Sequence, residues 1–272
     1  MFCYRHPDRE AYVRCQRCER LICPECQTEA SVGFLCPEDG GSKASTFKAP
    51  TVLRRASSGG ALVTKVLILV NVVLYGLQIL TGGILTAYLY YVPIATLAEP
   101  WRMITAGFIH SDDLFTNPTS VLHIVLNMYT LWILGQVLEP MLGRLRFFAL
   151  YMLAILGGSV AVLLFGDPVG GVLGASGGIF GLMGAYFIVL RSLGANSNSI
   201  VGVIAINLVF TFLNSGISWQ AHVGGLVIGG AVAFIYSRTR RPEQQSWQFG
   251  WLVGLAALLI ATSFTFAAKL LS

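Results

Sequence analysis

The sequence predicts an all-α polytopic membrane protein: seven transmembrane spans preceded by a small zinc-binding module. Three observations point there. Hydrophobic residues make up 55% of the chain and charged ones 11%, with a mean hydropathy of +0.69; soluble globular domains carry roughly 25% charged residues. Apolar stretches of the length a bilayer requires, about 20 residues, recur along the chain. All six cysteines (Cys3, Cys15, Cys18, Cys23, Cys26 and Cys36) fall within the first 36 residues, so they belong to one local device.

Composition divides the chain into a Cys/His-rich module at 1–41, a small, polar and basic linker at 42–60, and a transmembrane domain at 61–272. The linker should be flexible and solvated. A secretory signal needs a basic start followed at once by an apolar run. Met1 to Asp39 is polar instead, so no cleaved signal is expected.

Spans are expected near 62–80, 119–138, 146–165, 174–190, 200–214, 220–237 and 248–268. The stretch at 200–214 is short. The one at 174–190 is rich in glycine, which membrane helices tolerate because they pack through small residues. With the N-terminus in the cytoplasm, the inner segments carry Arg54, Arg55, Arg144, Arg146, Arg191, Arg238, Arg240 and Arg241, and the outer ones only Arg102 and Lys269. That asymmetry is the positive-inside pattern, and seven spans then place the C-terminus outside. The net charge of +5 is therefore a property of inner loops facing a lipid bilayer, and no nucleic-acid partner is expected. A bacterial plasma membrane is the expected location.

The N-terminal spacing reads Cys3-x-x-His6, Cys15-x-x-Cys18, Cys23-x-x-Cys26 and Cys36-x-x-Asp39, eight candidate ligands in all. Paired ligands separated by two residues can grip one tetrahedral zinc, so eight suggest two structural Zn2+ ions. Disulfides are the rival use of such thiols, but a cytoplasmic segment keeps them reduced. The pattern resembles a B-box-type zinc finger, a cross-braced fold in which alternate pairs share an ion. That resemblance implies Cys3, His6, Cys23 and Cys26 on one zinc and Cys15, Cys18, Cys36 and Asp39 on the other, with Asp39 standing where Cys or His is usual. Such a module binds a cytoplasmic protein partner, regulates the membrane domain or stabilises the N-terminus.

Polar side chains within spans are costly in lipid and are functional candidates by default. Ser176 sits in Gly174-Ala-Ser176-Gly177, at the outer end of its span; Gly177 and Gly181 would equally suit a packing patch. His222 opens the sixth span, with Gly225 and Gly229 three and seven residues on and on the same helical face, where a second backbone can approach. The span of Ser176 is the expected partner, and a Ser beside a His is the minimal base-activated nucleophile. A lone intramembrane His is otherwise a hydrogen-bonded strut or a proton-relay member. His123 and Asn127, spaced i, i+4, share a face and offer donors to a developing oxyanion, or a simple interhelical bond. No Asp or Glu falls within the expected spans, which leaves a dyad and argues against a His-relay transporter.

In this order, Trp101-Arg102, His123-x-x-x-Asn127, Gly174-x-Ser176-Gly177 and His222-x-x-Gly225-x-x-x-Gly229 resemble the rhomboid family across about residues 61–270. The resemblance implies a six-helix rhomboid-like bundle with one additional transmembrane helix, and an intramembrane serine endopeptidase with a Ser176–His222 dyad and no cofactor for catalysis. It also implies an oxyanion hole from His123, Asn127 and the Ser176 backbone N–H, a structural role for Trp101-Arg102, and small residues at the scissile site. Phe180 stands where some members have a tyrosine packed on the histidine, so the ring is kept and the hydroxyl is not. A carbonyl locked in a helix resists attack, so the expected substrates are transmembrane chains whose helix breaks near the outer interface. The alternative is a catalytically inactive membrane protein of the same fold that binds transmembrane clients.

Overall fold

A computed structural model describes residues 2–29, 34–41, 60–113, 119–214 and 216–272. The chain divides into two compact units, Met1–Arg54 and Arg55–Ser272. Nearly all of the expected linker, 42–59, lies outside the described residues.

The first unit has too little chain to build an apolar core of ordinary size. Its strands are two residues each: β1 (Val13–Arg14) pairs antiparallel with β2 (Leu21–Ile22), and β3 (Thr28–Glu29) with β4 (Phe34–Leu35), followed by the short helix α1 (Pro37–Gly41). Cys3, Cys15, Cys23, Cys26 and Cys36 are buried with Ala11 and Ile22, so cysteine sulfur replaces most of the aliphatic core. Tight turns fold two of the ligand pairs back on themselves: the N–H of Cys26 donates to the Cys23 carbonyl and that of Asp39 to the Cys36 carbonyl.

The second unit is helical. Its helices are α2 (Leu62–Leu80), α3 (Ile84–Leu89), α4 (Arg102–Thr105), α5 (Thr119–Leu142), α6 (Arg144–Phe165), α7 (Ser176–Ser192), α8 (Asn198–Leu213), α9 (Trp219–Arg238) and α10 (Gln245–Leu271). Among the described residues, five helices are long and apolar enough to cross a membrane: α2, α5, α6, α9 and α10. The other two expected spans are apolar helices of 17 and 16 residues, α7 and α8. The chain is thus an all-α polytopic membrane protein. The heart of the bundle is α7, packed most extensively against α9 and α6. By contrast α8 buries only Ile200 and Thr211.

One boundary corrects the reading of the sequence. Helix α5 continues past residue 138 to Leu142, so an acidic residue, Glu139, does lie inside a long apolar helix. Its side chain is 2% exposed and accepts from Val63 N at 2.9 Å, Thr64 N at 2.8 Å and Thr64 Oγ1 at 2.7 Å. The first N–H groups of a helix have no partner within it, and Ala61, preceding α2, offers no side-chain cap. A carboxylate from a neighbouring helix does that work and meets the positive end of the α2 dipole. Glu139 is thus a tertiary helix cap, which removes it as a proton-relay candidate. Glu139→Ala should cost about 3 kcal/mol, because the buried N–H and hydroxyl of Thr64 and the half-buried N–H of Val63 lose their acceptor. Thermal unfolding in detergent measures this, and an unchanged Tm would contradict the capping role.

Residues 81–113, which follow α2, are held by backbone and buried side-chain bonds. Arg102, 8% exposed, donates through Nη1 to the carbonyls of Ala87 at 2.7 Å and Tyr90 at 3.1 Å, closing the C-terminus of α3, and its Nε pairs with Glu99 at 2.8 Å. Gln78 grips the backbone of His110 from both sides, donating to its carbonyl at 2.7 Å and accepting from its N–H at 3.1 Å. Tyr91 exchanges two backbone bonds with Val172, and Gly174 N–H donates to the Ala106 carbonyl at 2.9 Å. The stretch that leads into α7 is therefore anchored directly on this loop.

Candidate functional site

Helices α5, α7 and α9 all begin at one end of the bundle; Ser176 and His222 lie in the first turns of α7 and α9, and His123 and Asn127 in the second and third turns of α5. Ser176 is the first residue of α7. The glycine two residues before it has φ +124°, a conformation that L side chains rarely adopt. A side chain at Gly174 would also meet the His123 ring, 3.1 Å from its Cε1 and Nε2. The glycine therefore allows the turn and lets His123 lie close beside the serine.

His222 is in the first turn of α9, whose N-terminus is capped by Ser218 through Ala221 N–H. It is 6% exposed. Its Nε2 lies 2.7 Å from Ser176 Oγ. The Phe180 ring stacks on the imidazole, with centroids 4.2 Å apart and planes 15° from parallel. Close backbone contact underlies this approach: the bare α-carbons of Gly225 and Gly229 on α9 face the carbonyl oxygens of Gly177 and Gly181 on α7.

The imidazole has a second polar contact that reading the sequence missed. Nδ1 lies 2.8 Å from Oγ1 of Thr211, a residue 3% exposed near the end of α8. No short-range pattern links Thr211 to His222, since 11 residues and a chain reversal separate them. His110 was missed as well. Its ring is fully buried and lies edge-to-face against His123, with centroids 5.2 Å apart.

His123 and Asn127 fall one turn apart on α5, the i, i+4 spacing that puts them on one face. Asn127 is 8% exposed, and its Nδ2 donates to the His123 carbonyl at 3.0 Å, which commits one of its two N–H groups. Trp101 is half-exposed, whereas Arg102 points inward at the carbonyls described above, so the two neighbours differ in role.

In the first unit, the eight Cys, His and Asp candidates gather into two groups, Cys3, His6, Cys23 and Cys26, and Cys15, Cys18, Cys36 and Asp39. Within each, the ligand atoms lie within 4.8 Å of one another. Bonds of about 2.3 Å from sulfur to a tetrahedral zinc set a sulfur–sulfur edge of about 3.8 Å. The Sγ atoms of Cys18 and Cys36 are 3.7 Å apart. His6 Nδ1 lies 3.5 and 3.4 Å from the sulfurs of Cys23 and Cys26, an edge that zinc bonds of ordinary length also produce. Burial by itself would raise the Cys3 thiol, but the backbone N–H groups of Cys23, Arg5 and His6 bring it from 9.0 down to about 6. Metals bind the thiolate, so that environment suits a ligand. Both groups fit a metal ion.

A rhomboid domain model matches residues 97–239, a stretch that contains Trp101, His123, Asn127, Ser176 and His222. Rhomboid protease GluP of Bacillus subtilis is 34% identical over 176 residues, 62% of this chain and 31% of that protein. RHOMBOID-like protein 6, mitochondrial, of Arabidopsis thaliana is 34% identical over 144 residues, 50% of this chain and 44% of its own length. Rhomboid-related protein 2 of Mus musculus is 29% identical over 206 residues, covering 68% of this chain and 65% of that protein. The chain spans less than half the length of the first two.

Proposed function

Because the chain belongs to the rhomboid family, we propose that it is an intramembrane serine endopeptidase that hydrolyses transmembrane substrates near the outer membrane interface, with Ser176 as nucleophile and His222 as general base. The carrying observation is the 2.7 Å contact between Ser176 Oγ and His222 Nε2. In this reading neutral His222 takes the serine proton as Oγ attacks the scissile carbonyl, then returns it to the leaving amine. An acyl-enzyme remains on Ser176, and His222 activates the water that hydrolyses it. The backbone N–H of Ser176, free at the start of α7, donates to the oxyanion together with His123 and Asn127.

Helix length supports a site sunk below the outer surface. At 1.5 Å per residue the 17 residues of α7 reach about 25 Å, against a hydrocarbon core of about 30 Å. With Arg191 at the inner interface, about 22 Å along the helix from Ser176, the serine lies about 8 Å inside the outer boundary. The end opposite the serine holds Arg144, Arg146, Arg191, Arg238, Arg240 and Arg241, which favours a cytoplasmic N-terminus, seven spans (α2 and α5 to α10) and an outer C-terminus in a bacterial plasma membrane. A serine-reactive fluorophosphonate should label the wild type and fail to label Ser176→Ala. Labelling that survives in Ser176→Ala would overturn the assignment of the nucleophile.

The first unit is proposed to hold two structural zinc ions, one on Cys3, His6, Cys23 and Cys26 and one on Cys15, Cys18, Cys36 and Asp39, in the manner of a B-box-type finger. The metal would supply most of the folding energy of a unit whose strands are two residues long. Elemental analysis of the purified chain should find two zinc per chain and Asp39→Ala should retain one; a wild-type content of zero would sink the metal reading. Cleavage of a model substrate by a chain lacking residues 1–41 tests regulation: altered activity indicates it, and unchanged activity leaves recruitment of a cytoplasmic partner or stabilisation of the N-terminus.

A further inference from the structure

We infer that Thr211 is a positioning residue that fixes the tautomer of His222 by passing a hydroxyl hydrogen bond on to the Asn207 carbonyl, an inference that rests on the Ser176–His222 reading above. A neutral imidazole carries one N–H. A general base needs that hydrogen on Nδ1, because only a bare Nε2 can take the proton of Ser176. Among the described residues no carboxylate contacts Nδ1; its partner is the Thr211 hydroxyl at 2.8 Å.

Counting protons decides the direction of that bond. Thr211 Oγ1 also lies 2.8 Å from the carbonyl oxygen of Asn207, one turn earlier on α8, and a carbonyl can only accept. The hydroxyl has a single hydrogen. If it goes to Asn207, Oγ1 accepts from Nδ1–H, Nε2 is bare, and Ser176 O–H donates to it at 2.7 Å, so all three contacts are hydrogen bonds. If instead the hydroxyl donates to Nδ1, the Asn207 contact is lost and Nε2–H points at Ser176, a geometry unable to accept its proton. Burial strengthens the preference: Thr211 is 3% exposed and His222 6%, so water is a poor substitute for a lost partner. Threonine carries no charge, so it selects a tautomer without the added stabilisation that a carboxylate gives the imidazolium.

The measurement is 15N NMR of the full chain in detergent with labelled histidine. The chain has four histidines, and Ala substitution of His222 identifies its signals. Wild type should show His222 protonated on Nδ1 and bare on Nε2. Thr211→Val keeps the branched shape, removes the hydroxyl and should give a mixture of tautomers. Its kcat should fall about 10- to 100-fold at nearly constant KM, less than the roughly 10⁴-fold loss when a triad carboxylate that fixes the tautomer is replaced. Thr211→Ser should rescue both readouts. Thr211→Val with a wild-type tautomer overturns the inference, as does a wild-type His222 carrying its proton on Nε2. If Ser176→Ala still cleaves, the dyad reading fails, and the NMR result still judges the tether by itself.

Discussion

Ser176→Ala and His222→Ala should each lower kcat for a model transmembrane substrate by about 10⁴-fold or more, and the double variant should lose no more than the worse single one. Residues that act in one step are grossly non-additive in this way. KM should stay close to wild type, because neither side chain has more than a small share of the surface that a transmembrane helix would contact. Both residues sit in first turns of helices held by glycine contacts away from the hydroxyl and the ring, so the variants should fold with a nearly unchanged Tm. Cleavage in detergent, quantified on gels over a substrate series, gives both constants. Losses that multiply would mean that the two residues serve separate steps, and full activity in either single variant would end the dyad proposal. A wild type that neither cleaves nor takes a fluorophosphonate, yet co-purifies with transmembrane clients, would favour the inactive client-binding alternative.

What the sequence disclosed follows from how locally each feature is encoded. The five long apolar helices were legible because burial in lipid demands long runs of one composition, and their centres, like those of the shorter apolar helices α7 and α8, lie where expected. The approach of Ser176 to His222 was legible through spacing: Gly225 and Gly229 share a face with His222, and Gly177 and Gly181 lie just beyond Ser176. The grouping of the eight ligand candidates matches the two sets that the B-box resemblance implies. Glu139 was missed because a carboxyl breaks an apolar window, and only the position of α2 supplies the donors that make it welcome there. Thr211 and His110 were missed for a related reason. A threonine in an apolar helix and a histidine in a loop gain meaning only from tertiary neighbours, here the imidazoles of His222 and His123.

The glycine contact between α7 and α9 makes the sharpest structural prediction, because two adjacent glycines should respond oppositely. A methyl group at Gly229 would overlap the backbone of Gly181, and one at Gly225 the carbonyl of Gly177. Backbone cannot rotate aside as a side-chain end can, so the helices must part along the seam that holds Ser176 against His222. In lipid that seam depends on close van der Waals contact. Gly229→Ala should therefore cost about 1–3 kcal/mol, as overpacking does, and Gly229→Val more. Both should also lose activity, since a small displacement at a catalytic pair is costly. At Gly230 the same methyl would find Ile188 Cγ1 at 3.9 Å and the Gly184 carbonyl at 4.0 Å, ordinary contact distances. Gly230→Ala should be neutral or stabilising by about 0.4–1 kcal/mol through the restricted unfolded chain. Thermal unfolding and cleavage of the two alanine variants, made side by side, provide the check. Equal effects would mean that helix propensity governs these positions; a loss confined to Gly229 ties the catalytic geometry to the glycine seam.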